Sequence, residues 1–262
     1  MGRYFIEAMP IAGVYLCIVL LILAACEAGI LIGRRYHRAH QDEGAMTSVG
    51  PMVGGLLGML AFVLAFTFSM AATHHGARKQ DVLTEAIYIN TAYLRADLLG
   101  DTRGPQIKRL LRGDGDVRLR AARPGGDLKA GVTRSLEIHD LLWAQASSAV
   151  SEDSNRNTFL AVTSVNDVIA MHERRVTDAV HARIPGGIWL GLMAITVLTM
   201  GALGLQVGLS GKRRLVGIIP IALAFAVLAT LVLDLNRPQG GFFTVSQQPL
   251  LDLQVRINGA AK

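Results

Sequence analysis

Four apolar blocks, residues 11–33, 49–72, 187–209 and 215–235, constrain this 262-residue chain more than any motif in it. Each matches the roughly 20 residues an α-helix needs to cross a hydrocarbon core about 30 Å thick. A backbone inside lipid must satisfy its own polar groups, so runs of this length are read as helices. The apolar residues, 51% of the chain, are gathered in these blocks instead of being spread through amphipathic patterns, which is the membrane-class distribution. Short basic links join the first block to the second and the third to the fourth, so each pair reads as a hairpin. The expected fold is an all-α integral membrane protein. Residues 1–72 form a first transmembrane hairpin, 73–186 a helical soluble domain, 187–235 a second hairpin, and 236–262 an interfacial C-terminal segment.

Arg3 precedes the first block, as it would in a signal peptide. The block outruns an h-region, however, meets no small-x-small site before Glu27, and is followed by Arg34, Arg35 and Arg38 as a stop-transfer flank. An uncleaved anchor is expected. Cys17 and Cys26 lie inside it and lack CxxC spacing, so they indicate neither a metal nor a thiol-exchange site. The net charge of +6 does not point to nucleic acid, because charges in 73–186 nearly cancel and no basic stripe carries aromatics. Much of the surplus sits in the links, at Arg34, Arg35, Arg38, Lys212, Arg213 and Arg214.

The soluble region is helical in pattern. Val82, Leu83, Ile87, Leu94 and Leu98 recur at mostly three- and four-residue steps and predict a helix over 77–99 that continues the second span, with Gly76 as a candidate kink. A short helix around 106–111 is expected to precede a Gly-, Asp- and Arg-rich loop over 113–126. Further helices are predicted over about 128–150 and 157–183, the latter stopped by Pro185-Gly186-Gly187.

The sequence Asp234 to Asp252, DLNRPQGGFFTVSQQPLLD, follows the last apolar block and resembles the closing signature of the bacterial bestrophin-like domain family. Phe66-Thr67-Phe68-Ser69-Met70-Ala71-Ala72, Ala77-Arg78-Lys79-Gln80, Glu85-Ala86 and Tyr93-Leu94-Arg95-Ala96-Asp97-Leu98-Leu99 are similar to the same pattern. So are Asn166-Asp167-Val168-Ile169, His172 and Arg175-Val176. The resemblance implies two transmembrane hairpins around a helical soluble domain, a bacterial inner-membrane location and a remote likeness to bestrophin anion channels. The dense acidic run that forms a calcium clasp in bestrophins is missing: acidic neighbours occur only as Asp42-Glu43 and Glu152-Asp153.

No chemistry of an enzyme is legible. Asp114-x-Asp116 has the first step of an EF-hand loop but not its other ligands, its turn Gly or its closing Glu. His172-Glu173 opens a zincin-like motif whose second histidine position is Val176. His74-His75 point to different sides of a helix and do not converge. P-loop, GxSxG and dinucleotide fingerprints are absent, so neither a cofactor nor a metal is expected.

Four groups of residues are candidates for function. Glu27, inside the first span, is either an ion or proton contact or a member of the interfacial charges near Arg34. Gly54 and Gly58 form a small-xxx-small face, followed at the same spacing by Phe62 and Phe66; the stripe is either helix packing or, around an oligomer axis, a hydrophobic gate. Asn90, Tyr93, Arg95 and Asp97 on one helix and Asn166, Asp167, His172 and Arg175 on another are candidates for a polar network. In the tail, Asp234 and Arg237 are expected in local hydrogen bonds, Pro238 to end the last span, and Ser246 to cap a short helix with Pro249 in its first turn.

Two functions stay open: a homo-oligomeric pore for small ions, or a non-conducting scaffold or sensor whose soluble domain binds a protein or envelope component. Membrane lipid is the expected surrounding for either. The positive-inside rule puts the basic links in the cytoplasm and the soluble domain outside. Resemblance to bestrophins points to the inside, and Arg78, Lys79, Arg174, Arg175 and Arg183 weaken the bias; the outside placement is the working expectation.

Overall fold

The computed structural model describes residues 10–40, 43–123, 125–181, 184–210, 215–237 and 241–259. The described residues form helices joined by turns and irregular segments, with no strand among them. The helices are α1 (Ile11–His40), α2 (Glu43–Arg95), α3 (Gly100–Ala121), α4 (Leu128–Glu152), α5 (Arg156–His181), α6 (Gly186–Leu209), α7 (Leu215–Asn236) and α8 (Gln248–Gly259), with a single 3-10 turn, Ala96–Leu99, between α2 and α3. Helices α1, α2, α6 and α7 are long and apolar enough to cross a membrane. The chain divides into two compact units, residues 1–74 with 183–243, and residues 75–182 with 244–262.

The first unit holds the four apolar helices. Its core is made of Ile22, Cys26 and Ile30 from α1, Leu60, Leu64 and Ala71 from α2, Leu192 and Met200 from α6, and Ala222, Ala226 and Val232 from α7. The closest approach joins α1 to α6, and glycine makes it possible. A Cβ on Gly29 would lie 2.0 Å from the Gly201 carbonyl oxygen, and one on Gly204 2.1 Å from that of Cys26. Gly33 and Gly208 are also too close for a side chain, with 2.5 Å to the carbonyls of Leu205 and Ile30. Without side chains at these steps the two backbones pack directly, which is how helices gain contact in lipid, where apolar burial supplies no drive. Thr67 and Thr196 satisfy their hydroxyls on the Val63 and Leu192 carbonyls one turn back, at 2.7 Å each.

The second unit is built on the C-terminal half of α2 with α3, α4, α5 and α8. Its core joins Val82, Ala86 and Ile89 of α2, Ile107 and Leu111 of α3, Ile138 and Leu142 of α4, Val165 and Val168 of α5, and Leu250, Leu253 and Ile257 of α8. Asp127 caps α4 by accepting from Ala130 N at 2.9 Å. Helix α2 runs through Gly76 without interruption.

The expected loop over 113–126 is corrected by the structure, since α3 continues to Ala121. Two local features explain why the glycines there do not end the helix. Gly115 lies against α8, where a Cβ would meet Gln254 Nε2 at 2.3 Å, so the small residue serves packing. Gln254 Nε2 also donates to the Arg112 carbonyl at 3.0 Å. Asp114 and Arg118, the i,i+4 pair of this stretch, are turned inward and bonded to each other at 2.8 Å.

Candidate functional site

Three places bring together polar or otherwise distinctive side chains. The first is the outer face of α2 in the membrane unit. Its span is the least buried of the four apolar helices. Val53, Leu60, Leu64, Thr67 and Ala71 mark the face turned inward. On the opposite side Phe62 is 73% and Phe66 58% exposed, with Met52 and Met59 beside them. Among the described residues, nothing outside the helix itself lies within 4 Å of a Cβ placed on Gly54 or Gly58. The close helix packing of the protomer therefore falls to Gly29, Gly33, Gly204 and Gly208, and the Gly54-Gly58-Phe62-Phe66 stripe is open. Glu27 of α1 is half-buried and interacts with other groups of the protein.

The second place is a buried ion cluster inside the second unit. Glu85 of α2 is 1% exposed, Asp114 of α3 0%, and Arg118 of α3 4%. Arg118 is paired through one nitrogen with Glu85 and through the other with Asp114, and Arg175 of α5 is bonded to the second oxygen of Glu85. His139 of α4 adds its Nε2, 3.1 Å from Arg118 and 3.4 Å from Asp114 Oδ2. His172 of α5 meets the His139 ring edge to face, with centroids 4.7 Å apart. Two arginines thus balance two carboxylates, and two imidazoles complete a group drawn from four helices.

Burial sets the electrostatics of this cluster. It pushes His172 down to about 3, helped by Arg118, by the His139 ring and by Arg175, so this imidazole is neutral at physiological pH. Burial, then Arg175, lowers Arg118 well below the usual guanidinium range, while Glu85 and Asp114 hold its charge. Arg175 is lowered by burial as well. One turn before Glu85, Asp81 is raised by burial and then by Asp178, against the pull of Arg174 at 3.4 Å.

Of the eight residues expected in a polar network, the structure brings only His172 and Arg175 into this cluster. Tyr93 is bonded instead to Arg112. Arg95 donates to the Leu160 carbonyl at 3.4 Å, and Asp97 pairs with Lys108 at 2.5 Å on the surface. Asn90 is half-buried in a groove between α2 and α8, Asn166 is exposed and Asp167 half-buried. The physical reason is the helical period: Asn90, Asp97 and Asn166 stand off the buried faces that carry Glu85, Ile89, Val165 and His172. Glu85, Asp114, Arg118 and His139 went unrecognised as site residues. The available signal was Asp81 and Glu85 at core spacing among Val82, Ala86 and Ile89, where a charge needs a partner.

The third place is the end of α7. Asp234, buried, accepts from Phe242 N at 2.9 Å and Phe243 N at 3.0 Å, which folds the chain back on the helix end. The turn requires glycine at 241, because a Cβ there would lie 2.0 Å from Asp234 Oδ1. Asn236 Oδ1 accepts from Ile184 N at 3.0 Å, and Arg237 is buried with its own backbone N–H on the Asp234 carbonyl at 3.1 Å. Pro238 lies outside the described residues. Ser246 Oγ accepts from Gln248 N at 3.2 Å at the start of α8, with Pro249 in its first turn. Among the described residues no group of three or more His, Cys, Asp or Glu is arranged to hold a metal ion.

Residues 19–250 match the family model described as the Bestrophin-like domain. No curated protein matches the chain. Among solved structures, a point variant of a bacterial bestrophin homologue from Klebsiella pneumoniae is similar, with a TM-score of 0.59 at 14% identity over 96% of this chain and 98% of that one. A point variant described only as a membrane protein is similar with a TM-score of 0.56 at 15% identity, over 93% and 98% of the two chains.

Proposed function

The chain belongs to the bestrophin-like domain family, and on that premise we propose that this multi-pass membrane protein assembles as a homo-oligomer that conducts small ions along a path lined by α2. The observation that carries the reading is the open face of α2. Among the described residues nothing meets a Cβ on Gly54 or Gly58, and Phe62 and Phe66 are more than half exposed on the same side of a long helix, whereas the other three spans bury more of themselves. Repeated about an axis, the two phenylalanine rings give a narrow apolar ring that excludes water until it widens, the arrangement of a hydrophobic gate. The small residues one and two turns before them let neighbouring helices approach. The likeness in fold to a bacterial bestrophin homologue supports a channel over the scaffold reading.

Native mass measurement in mild detergent tests assembly. A defined oligomer is expected, and replacing Gly58 by Leu should weaken it. A monodisperse monomer removes the oligomeric pore. A stable oligomer that passes no ion in liposomes returns the protein to the scaffold class.

A further inference from the structure

We propose that the buried His139–His172 pair is an acid-sensitive latch that decides whether α2 is held to α3 and α5 through Glu85. The geometry concentrates on one residue of α2. Glu85 receives Arg118 from α3 on one oxygen and Arg175 from α5 on the other, so a single carboxylate ties three helices. Arg118 has only donors to offer, so its contact with His139 makes Nε2 the acceptor and leaves that ring's proton on Nδ1. Both His139 Nδ1 and His172 Nε2 are buried with no hydrogen-bond partner among the described residues. Buried unpaired polar atoms are costly, and two apolar side chains would fill the same space more cheaply.

The groups facing the pair are Glu85 from α2, Asp114 and Arg118 from α3, and Arg175 from α5. Asp81 and Arg78 lie one and two turns back on α2, with Arg174 of α5 against Asp81 and Asp178 a turn beyond. Closed, the cluster is neutral. A proton on His172 adds positive charge beside two arginines. Opening frees the His172 imidazole to titrate at its ordinary value of about 6.5, while in place it resists protonation down to about 3. Acid therefore stabilises the opened state and not the closed one. Between pH 7.5 and 5.0 one histidine alone favours opening by about thirtyfold. Asp81, whose carboxyl is raised by burial and by Asp178, binds a proton more readily in place than when freed, so it opposes this response and the His172 ring carries it. Because α2 is one unbroken helix from Glu43 to Arg95, the freed segment is continuous with Phe62 and Phe66. The effect on ion flow rests on the pore reading given above; the latch itself does not.

Hydrogen exchange of the α2 amides around Glu85, measured on the full chain in liposomes at pH 7.5 and 5.0 and corrected for intrinsic rates, tests the latch without requiring conduction. The wild type should open about thirtyfold more at pH 5.0, and His172→Phe should cut that ratio about tenfold or more. His172→Gln serves the same purpose where the phenylalanine variant does not fold. A wild-type ratio below about threefold, or one that the substitutions leave unchanged, overturns the proposal. Flux recorded on the same liposomes separates the two readings: acid-dependent exchange without flux at either pH keeps the latch and removes the pore.

Discussion

Arg118→Met is the most informative single perturbation of the second unit. The guanidinium is almost fully buried and bonded to two carboxylates that are themselves 0–1% exposed. Removing one partner from a buried ion pair costs about 3–5 kcal/mol, chiefly because the other charge is stranded. Here the loss is shared unevenly. Glu85 retains Arg175, whereas Asp114 keeps no bonded arginine among the described residues, with His139 Nε2 3.4 Å away. The expected cost is therefore near the lower end, about 3 kcal/mol, with Asp114 as its main source. For a unit of this size that corresponds to a melting temperature lower by roughly 10 °C. Denaturation at pH 7.5, followed by helical circular dichroism in mild detergent, measures it. Adding Asp114→Asn neutralises the stranded group and should recover half or more of the loss, so the two substitutions are strongly non-additive. A single-variant cost below about 1 kcal/mol, or no recovery in the double variant, would refute the claim that these charges hold the helices together.

In the membrane unit, Gly204→Leu should disrupt the protomer, because even a Cβ there lies 2.1 Å from a backbone oxygen, whereas Gly58→Leu should leave the protomer's melting unchanged and shift the native mass. Equal effects of the two on melting would contradict the assignment of the tight face to α1 and α6. Truncation after Arg237 removes α8 and with it Leu250, Leu253 and Ile257 from the core; at about 1.5–3 kcal/mol for each buried side chain it should abolish cooperative melting of the second unit, and truncation after Asn258 should not. Two truncations that melt alike would deny α8 that role. A cysteine at exposed Ser147, with Cys17 and Cys26 replaced by Ala, should react with an impermeant thiol reagent in intact cells if the positive-inside reading holds. Labelling only after lysis would place the soluble unit in the cytoplasm.

Much of the architecture was legible because lipid is a strict solvent. An apolar run of about 20 residues has few alternatives to a helix, and the four runs became α1, α2, α6 and α7. The extension of α2 beyond its span was readable from Val82 to Leu98 for the same periodic reason. Which small residues meet a partner was not readable. Gly54-Gly58, Gly29-Gly33 and Gly204-Gly208 carry the same spacing, and only the three-dimensional pairing of α1 with α6 shows that the last two pairs are the ones closed within the protomer. The ion cluster depends on a helical stretch that the local sequence disfavours. Gly113, Gly115 and Pro124 favour a loop by residue type, and a loop gives Asp114 and Arg118 no common face, whereas in the structure Gly115 is helical and packs against Gln254 from more than a hundred residues away. His139 carried no sequence signal of its own; burial against Arg118 and His172 is a tertiary fact.

Whether α2 lines an ion path decides between pore and scaffold. The most direct measurement is ion flux from liposomes containing the purified protein, compared with protein-free liposomes and with the Phe62→Ala, Phe66→Ala double variant. Removing both rings widens the proposed apolar ring, so the account predicts flux above background for the wild type and a larger flux, by about tenfold or more, for the variant. Background-level flux in both proteins, with each shown to be folded and oligomeric, would contradict it.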